Sequence, residues 1–337
     1  MKAKYFFIFI LFLLFAVPTV AQVKVNGYLS FEYLKGEKQS GFHQGSFQNA
    51  RAGLITTGQI APRFDFALEA RLRGEYQVEL EQAWAGFKAS EAFSLKLGLF
   101  LVPFGKYNQS NRPHQTLLIR SPLNLEDTYP ASWRDIGVLA EGKIGIFLYS
   151  AYLGNGLAEA ENLRGGQQFN DNNSDKGKGT RIGLLLAQKF EVGVSYYRGK
   201  QDERNERNLR LLGFDLSWDI ESFQVLAEYS KGEMENPSPG AKGKAEGYFV
   251  QLSFPVDRFN AVVSYQDFSY KDAFHGPGFQ KPAISGQGID EDSQRWALGL
   301  DYSFSQNLLL KLEYDFNKAR DRNLKANLFL AQVALSF

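Results

Sequence analysis

The residues with the clearest chemical potential lie in one stretch, 103–134, which has no regular strand or helix pattern. It carries four basic side chains against two acidic ones. Arginine forks bind carboxylates and phosphates through paired hydrogen bonds, and lysine adds a compact positive charge. The stretch is therefore a candidate contact site for small anions. Its charged residues are Lys106, Arg112, Arg120, Arg134, Glu126 and Asp127.

A second set of charged residues alternates with apolar residues elsewhere in the chain. Arg51, Arg71 and Arg73 belong to neighbouring early segments and should cluster on one arc. Further bases occupy the polar positions of the same kind of alternating pattern: Lys96, Arg181, Arg210, Arg295, Lys311 and Lys325. Acids at the polar positions of this alternating pattern are Glu32, Asp65, Glu69, Glu79, Glu81, Asp215, Glu228, Asp301 and Glu313. Either a basic arc favours anions, or the bases and acids pair and leave little net selectivity.

Residue types for catalysis or metal binding form no clear constellation. All three histidines, His43, His114 and His275, fall in predicted loops. A serine hydrolase would need a histidine in contact with the serine and with an orienting polar residue, so an enzyme is not expected. Asp171, Asn173 and Asp175 match the first ligand offsets of a calcium loop, but Lys176 replaces its turn glycine. We expect neither a metal nor a cofactor, since no glycine-rich phosphate loop is present either.

The elements that carry these residues read as strands. From Arg63 to Arg73, apolar and charged residues alternate strictly, with Phe64, Phe66 and Leu68 on one face. Alternation at period two indicates a strand with one apolar and one polar face. A soluble sandwich would bury the apolar face against a second sheet, whereas a membrane barrel turns it towards lipid and lines its lumen with the polar face.

Sixteen such segments can be counted along the chain. They lie near 23–34, 46–58, 62–74, 75–88, 93–102, 135–142, 144–154, 180–188, 190–200, 208–219, 221–231, 245–255, 258–269, 294–304, 307–317 and 324–337. Short turns alternate with connections that are mostly long, which is typical of outer-membrane barrels. The sequence therefore predicts an all-β fold, a sixteen-stranded antiparallel transmembrane barrel with long external loops and short periplasmic turns.

The chain termini and the charge balance agree with export to the outer membrane. Lys2 and Lys4 precede an apolar run that ends at Pro18, so residues 1–21 are expected to be a cleaved signal peptide and 22–337 the barrel. The remaining 36 basic and 37 acidic side chains argue against a nucleic-acid partner. No later stretch is apolar over the length of a membrane helix, so a barrel facing outer-membrane lipid is the form expected.

One ordered set of motifs is more specific than the barrel pattern. It comprises Val102-Pro103-Phe104-Gly105 at a strand exit, Arg134-Asp135-Ile136-Gly137-Val138 at a strand start, and Asn155-Gly156 before an Asn/Asp-rich loop. This order resembles the phosphate-selective porin O and P family, and the terminal Phe337 resembles the C-terminal signature of many outer-membrane barrels. The resemblance implies a homotrimeric porin whose loop 103–134 folds into the lumen.

The sequence thus predicts passive diffusion of small hydrophilic solutes, with an anion or phosphate preference if the basic residues of the loop face the arginine arc. If Glu126 and Asp127 faced that arc instead, the field would run across the pore and selectivity would nearly vanish. The alternatives are a sugar-specific channel, a non-conducting structural barrel and an outer-membrane hydrolase.

Overall fold

The computed structural model describes residues 22–73, 77–160, 165–187, 189–235, 242–271, 292–320 and 326–337. Its strands are β1 (Gln22–Gly36), β2 (Ser46–Ala61), β3 (Phe64–Arg73), β4 (Gln77–Ser90), β5 (Phe93–Leu101), β6 (Arg134–Ile144), β7 (Phe147–Gly154), β8 (Gly177–Leu186), β9 (Phe190–Lys200), β10 (Asn208–Ile220), β11 (Phe223–Glu235), β12 (Lys242–Val256), β13 (Phe259–Lys271), β14 (Ser293–Ser305), β15 (Leu308–Ala319) and β16 (Leu328–Ser336). The predicted signal peptide, residues 1–21, lies outside the described residues.

The sixteen strands form one closed antiparallel barrel in which each strand pairs with its neighbours in the chain. β16 closes the wall against β1, with Tyr28 opposite Ser336 and Gly36 opposite Leu328. The terminal Phe337 continues this ladder, because its backbone exchanges hydrogen bonds of 2.8 and 3.0 Å with Gly27. The predicted fold is confirmed. Among the described residues, no helix is long and apolar enough to span a membrane.

The two faces of the strands follow the predicted alternation. Leu68, Phe214 and Val333 lie on the outer surface, where they are 37–47% exposed. The charged neighbours Glu69 and Asp215 point inward and are buried. Because the outward residues are large and apolar over most of the wall, the barrel presents a hydrophobic exterior and a polar interior.

One residue departs from the expected parity. Arg210 is predicted to face inward, and this is wrong: it is exposed on the outside, while Leu209 and Leu211 point inward and are fully buried. This part of β10 lies near the long-loop end, where the interior is filled by an apolar cluster. A strand with apolar residues inside must turn its alternate charged residue outward.

The strands are joined by very short turns at one end of the barrel. Pro62–Arg63 joins β2 to β3, Gly145–Ile146 joins β6 to β7, and Asp257–Arg258 joins β12 to β13. Each of these turns places one residue in the left-handed region, as in Arg63 at φ 71° and Gly145 at φ 61°. Two-residue hairpins need positive φ to match the twist of their strands. The long connection 102–133 therefore starts from the opposite end.

A β-bulge interrupts the ladder between β3 and β4. The register shifts between Glu69 and Ala70, which leaves Glu81 of β4 as an extra residue. Bulges re-aim side chains relative to a regular strand. Here Glu81 is buried inside the barrel, where it joins Glu79 of the same strand next to Arg71.

A hydrophobic core fills part of the barrel interior. It is formed by the connection 102–133, by inward side chains of β5–β7 and β9–β13, and by Leu157, which follows β7. Trp133 is fully buried, with its ring 4.9 Å from that of Tyr197 on β9, and the rings of Phe104 and Tyr129 lie 4.8 Å apart. The other members are Phe100, Val102, Tyr107, Leu125, Ala131, Leu139, Tyr152, Leu157, Leu209, Leu211, Met234, Ala245, Phe249 and Phe268.

Candidate solute pathway

The connection 102–133 crosses the interior and is fastened to the far wall by a carboxylate. Glu228 of β11 accepts hydrogen bonds from the backbone N–H groups of Lys106 and Tyr107 at 2.5 and 2.6 Å. Its second oxygen accepts the hydroxyl of Tyr129 at 2.6 Å. Because Glu228 is buried, these donors replace the water that its charge would otherwise require. We call this group the first anchor.

A second anchor lies on β15. Glu313 accepts the backbone N–H groups of Ile119 and Arg120 at 2.5 and 3.2 Å. The ammonium of Lys311, one inward position away on the same strand, donates to the carbonyl oxygen of Thr116. Together the two anchors hold the connection at widely separated parts of the wall. Contacts of this kind restrain the loop at both anchors.

The side chain of Asn108 links the two ends of the connection. Asn108 donates to the carbonyl oxygens of Val102 and Trp133, each at 2.9 Å, and accepts the backbone N–H of Trp133 at 2.7 Å. A short 3-10 helix, Tyr107–Ser110, precedes the crossing, and a one-turn helix, α1 (Asn124–Asp127), follows it. Leu123, at the start of α1, donates to Gln266 of β13 at 3.1 Å.

A polar seam separates the connection from β3 and β4. We define it by six charged residues, Glu69, Arg71, Glu79, Glu81, Arg112 and Arg134. Arg112 forms a two-pronged ion pair with Glu69, at 2.9 Å from Nε and 2.6 Å from Nη2. Arg71 and Arg134 both contact Glu81 at 2.6 Å. The seam therefore contains alternating guanidinium and carboxylate groups.

The remaining predicted site residues are distributed around the interior. Lys106 pairs with Glu191 of β9 at 2.5 Å, and Arg120 lies 3.4 Å from Asp315 of β15. Arg51 of β2 pairs with Glu32 at 3.3 Å and keeps 28% of its side chain exposed. The structure thus brings Arg71, Arg112 and Arg134 together but places Lys106 and Arg120 elsewhere. The side chains of Arg73, Glu126 and Asp127 lie outside the described part of the chain.

The arginine arc expected from the sequence has carboxylates interleaved with it. Parity already placed Glu69, Glu79 and Glu81 inward, but it did not show that these acids meet the bases of the connection. Gln82, which donates to Glu69 at 2.9 Å, and Asn108 were not singled out as site residues. Nothing in the local sequence signals them, because their contacts depend on the bulge and on the path of the connection.

A cavity of about 750 Å³ lies between the connection and the short-turn end of the barrel. Lys96 lies on its wall, 2.6 Å from Glu141 and 4.6 Å from the ring centre of Trp84. Lys106 and Arg181 line its upper part. Hydroxyl, amide and charged groups around one indole ring make this a hydrated, mixed-charge chamber.

The environment of His114 in the connection also matters for the electrostatics. Its ring lies 5.5 Å from that of Tyr28, which is buried on β1. Burial, together with the positive charges of Arg112 and Lys311, lowers the pKa of His114 below its usual 6.5. This shift favours the neutral imidazole over the charged form.

The Asn/Asp-rich loop uses its polar groups internally. The ammonium of Lys176 pairs with Asp171, and the amide of Asn173 donates to the carbonyl oxygen of Lys200 at 3.1 Å. Over the described parts of the chain, no group of three or more His, Asp or Glu residues is placed to hold a metal ion.

These features define a class, the outer-membrane β-barrels whose lumen is narrowed by an inserted loop. Residues 9–322 match the Gram-negative porin family, and the chain belongs to that family. It is an outer-membrane porin of a bacterium.

Several known proteins are similar to this chain. An uncharacterized protein of Aquifex aeolicus (strain VF5) is 28% identical, with 92% of this chain and 80% of that protein covered. Among solved structures, Salmonella typhi OmpF in complex with daunomycin has a TM-score of 0.68 at 16% identity, covering 94% of this chain and 97% of that one. An anion-selective porin from Comamonas acidovorans has a TM-score of 0.67 at 12% identity, covering 94% and 100%.

A third solved structure is OmpT of Vibrio cholerae in its trimer form, with a TM-score of 0.65 at 12% identity, covering 95% of this chain and 100% of that one. At these identities the structural likeness establishes the shared barrel fold.

Proposed function

We propose that this porin passes small hydrophilic solutes passively through a lumen narrowed by the connection 102–133. One observation carries the proposal: the connection is fastened inside the barrel by Glu228 and Glu313, so the narrowing is a built feature. The polar seam and the mixed-charge cavity supply hydrated surfaces on either side of it. A fixed, polar constriction selects solutes by size and field.

Liposome swelling tests this proposal. Vesicles containing the purified porin should admit neutral sugars at rates that fall steeply from pentose to trisaccharide. Vesicles prepared without protein provide the baseline. Swelling no faster than this baseline would contradict passive diffusion and would favour a non-conducting structural barrel.

We further propose that the preference for anions, phosphate included, is weak. Each basic residue of the predicted site whose side chain is described lies within 3.4 Å of a carboxylate. Paired charges leave a smaller net field than a cluster of free bases. The resemblance to phosphate-selective porins and the likeness to an anion-selective porin support an anion preference, while the pairing limits its size.

Reversal potentials in a potassium chloride gradient measure this preference. We expect an anion-to-cation permeability ratio within about threefold of unity, because lumen charge tunes selectivity where it is unbalanced. Arg51→Ala and Arg134→Ala should each shift the ratio towards cations. A wild type that excludes cations strongly, or one that is selective for cations, would contradict the weak anion preference.

A sugar channel is the second candidate, and one observation favours it. The indole of Trp84 lies in the cavity beside Lys96 and Glu141, an arrangement that suits stacking and hydrogen bonding of a sugar ring. Sugars added on the short-turn side should then block ion current in wild type but not in Trp84→Leu. Equal current with and without sugar would leave general diffusion as the function.

We also propose that the porin is a homotrimer and that the rest of its apolar exterior contacts lipid. β2–β4 present small outward residues, which allow close approach of a second copy: Ala52, Ala70, Ala83 and Ala85. The trimer form of Vibrio cholerae OmpT supports the same assembly. Native mass spectrometry in detergent should give three times the chain mass, and a monomer would contradict the proposal.

Finally, we propose transport without catalysis. This extends the sequence-based expectation, in which no Ser–His–acid constellation stands out. Steady ester turnover by the purified porin, abolished by a single serine substitution, would contradict it.

A further inference from the structure

The polar seam carries opposite charges on its two sides. On β3 and β4 the seam holds Glu69, Glu79 and Glu81 and, among the described side chains, one base, Arg71. Opposite them lie Arg112 of the connection and Arg134, the first residue of β6. The described charges therefore set up a field across the seam, with β3 and β4 negative and the opposite side positive. This is the reverse of the arrangement expected from an arginine arc.

On its other sides the connection contacts the barrel through apolar packing and through wall side chains that bind its backbone. Towards β9–β13 the aromatic core excludes water. Towards β15, Glu313 accepts backbone N–H groups directly. Towards β1, the buried ring of Tyr28 lies against His114. At the seam, side chains meet through ion pairs and hydrogen bonds that water or a solute can replace, as Lys106 and Arg120 also do with Glu191 and Asp315.

A small void lies within the seam. It measures about 10 Å³ and is lined by Glu69, Arg71, Glu81, Leu101, Asn108, Asn111, Arg112 and Ser132. A volume of this order is about what one water needs. The Nε of Arg71 is buried there without a hydrogen-bond partner in the described structure, although Nη1 of the same residue donates to Ser132 at 3.3 Å. A donor aimed into a polar void indicates a place for a hydrogen-bonding solute.

The void also leads towards the larger cavity. Asn108 and Asn111 line the void, and the residues between them, Gln109 and Ser110, line the upper end of the 750 Å³ chamber. The void and the chamber therefore border the same short segment of the connection, residues 108–111.

Charge decides which solute can open the seam at low cost. Glu69 is 3% exposed and Arg112 14% exposed, so separating them leaves two poorly hydrated charges. An anion would satisfy only the arginine and leave the carboxylate unpaired, which is costly in a buried site. A zwitterion offers a carboxylate to the arginine and an ammonium to the carboxylate at the same time.

We propose that the polar seam is the passage past the connection and that it favours small zwitterions of the amino-acid type. The carboxylate of the solute binds Arg112 or Arg134, and its ammonium binds Glu69 or Glu81. The proposal rests on the proposed diffusion function and names its preferred solute class.

Liposome swelling with glycine and its neutral isomer glycolamide tests the proposal, because the two probes share the same composition and nearly the same size. At pH 7 we expect glycine to enter wild-type vesicles about threefold to fivefold faster than glycolamide, because the gain from pairing both charges is partly offset by their desolvation. The double variant Glu69→Gln with Arg112→Gln should bring the ratio towards one. The matched control is Glu159→Gln with Arg207→Gln, which removes a 2.5 Å pair outside the seam and should keep the wild-type ratio.

The outcomes separate this inference from the diffusion function. If neither probe enters, the proposed function fails. If both enter at equal rates, or glycolamide enters faster, the diffusion function stands and the zwitterion preference is overturned. The comparison of the two probes in wild type tests the preference even if the double variant does not fold. The single variant Glu81→Gln is a second test of the same seam.

Discussion

At the scale of single residues, a few buried carboxylates fix the shape of the lumen. Glu228 is the clearest case, because it accepts two backbone N–H groups and one phenol hydroxyl but forms none of the ion pairs found among the described residues. Its role is to hold the connection in place. Lys106, whose backbone it binds, directs its own ammonium to Glu191 instead.

Substituting Glu228→Leu should therefore loosen the connection. Each backbone N–H left buried without a partner costs about 1–3 kcal/mol, so we expect a lower unfolding midpoint in denaturant and noisier single-channel current. Glu228→Gln keeps one acceptor oxygen and should lie between wild type and Glu228→Leu. Glu203→Gln, at an exposed position, is the control. An unchanged midpoint and quiet current in Glu228→Leu would contradict the anchoring role.

His114 gives a pH dependence with a definite sign. Burial, Arg112 and Lys311 lower its pKa in the folded protein below the ordinary 6.5, and Glu69 opposes them only weakly. The folded state then binds fewer protons than the unfolded state, so stability is lost as pH falls below 6.5. His114→Asn should flatten this part of the curve of unfolding free energy against pH. Parallel curves for wild type and variant would show that His114 does not contribute.

At the scale of elements, the alternation of each strand could be predicted from the sequence. Which side chain of the wall each residue of the connection contacts could not. Period two follows from local geometry, so the sequence predicts the sixteen strands and places Glu69, Glu228 and Glu313 inside. The meeting of Arg112 with Glu69 depends on where a long connection crosses the lumen, which no local pattern encodes. The bulge at Glu81 is likewise invisible to alternation, because one extra residue looks like an ordinary strand position.

The two faces of a strand should respond differently to charge. Leu216→Lys places an ammonium on the apolar exterior and should destabilise the barrel by about 2–4 kcal/mol if the site lies near the bilayer midplane. Ser94→Lys points into the 750 Å³ chamber, where it should change conductance with a smaller loss of stability. Unfolding in lipid vesicles, with urea as denaturant, measures both. Equal losses at the two positions would contradict the assignment of faces.

The alternation along β2 points Gly53 inward, but Gly53 is a less suitable position for testing an inward charge. A Cβ built on Gly53 would lie 2.2 Å from the ring of Tyr28. Tyr28 is buried and packs next to His114. A larger side chain at Gly53 would displace this ring, so stability and conductance would change together.

At the scale of the whole molecule, the barrel interior has an apolar region, the aromatic core, and a polar region, the seam. The aromatic core seals the connection against β9–β13, while ion pairs line its border with β3 and β4. A barrel of sixteen strands encloses more space than side chains alone can fill, and here the inserted connection occupies part of it. The proposed path for solutes therefore lies on one side of the lumen.

The most direct test of this account is single-channel recording of the purified porin in a planar bilayer. We expect discrete, ohmic conductance steps and an anion-to-cation permeability ratio close to unity. The conductance step should be larger when Arg112 and Glu69 are both replaced by serine. A protein that inserts as a folded barrel yet carries no current would contradict the proposed passive diffusion through the lumen.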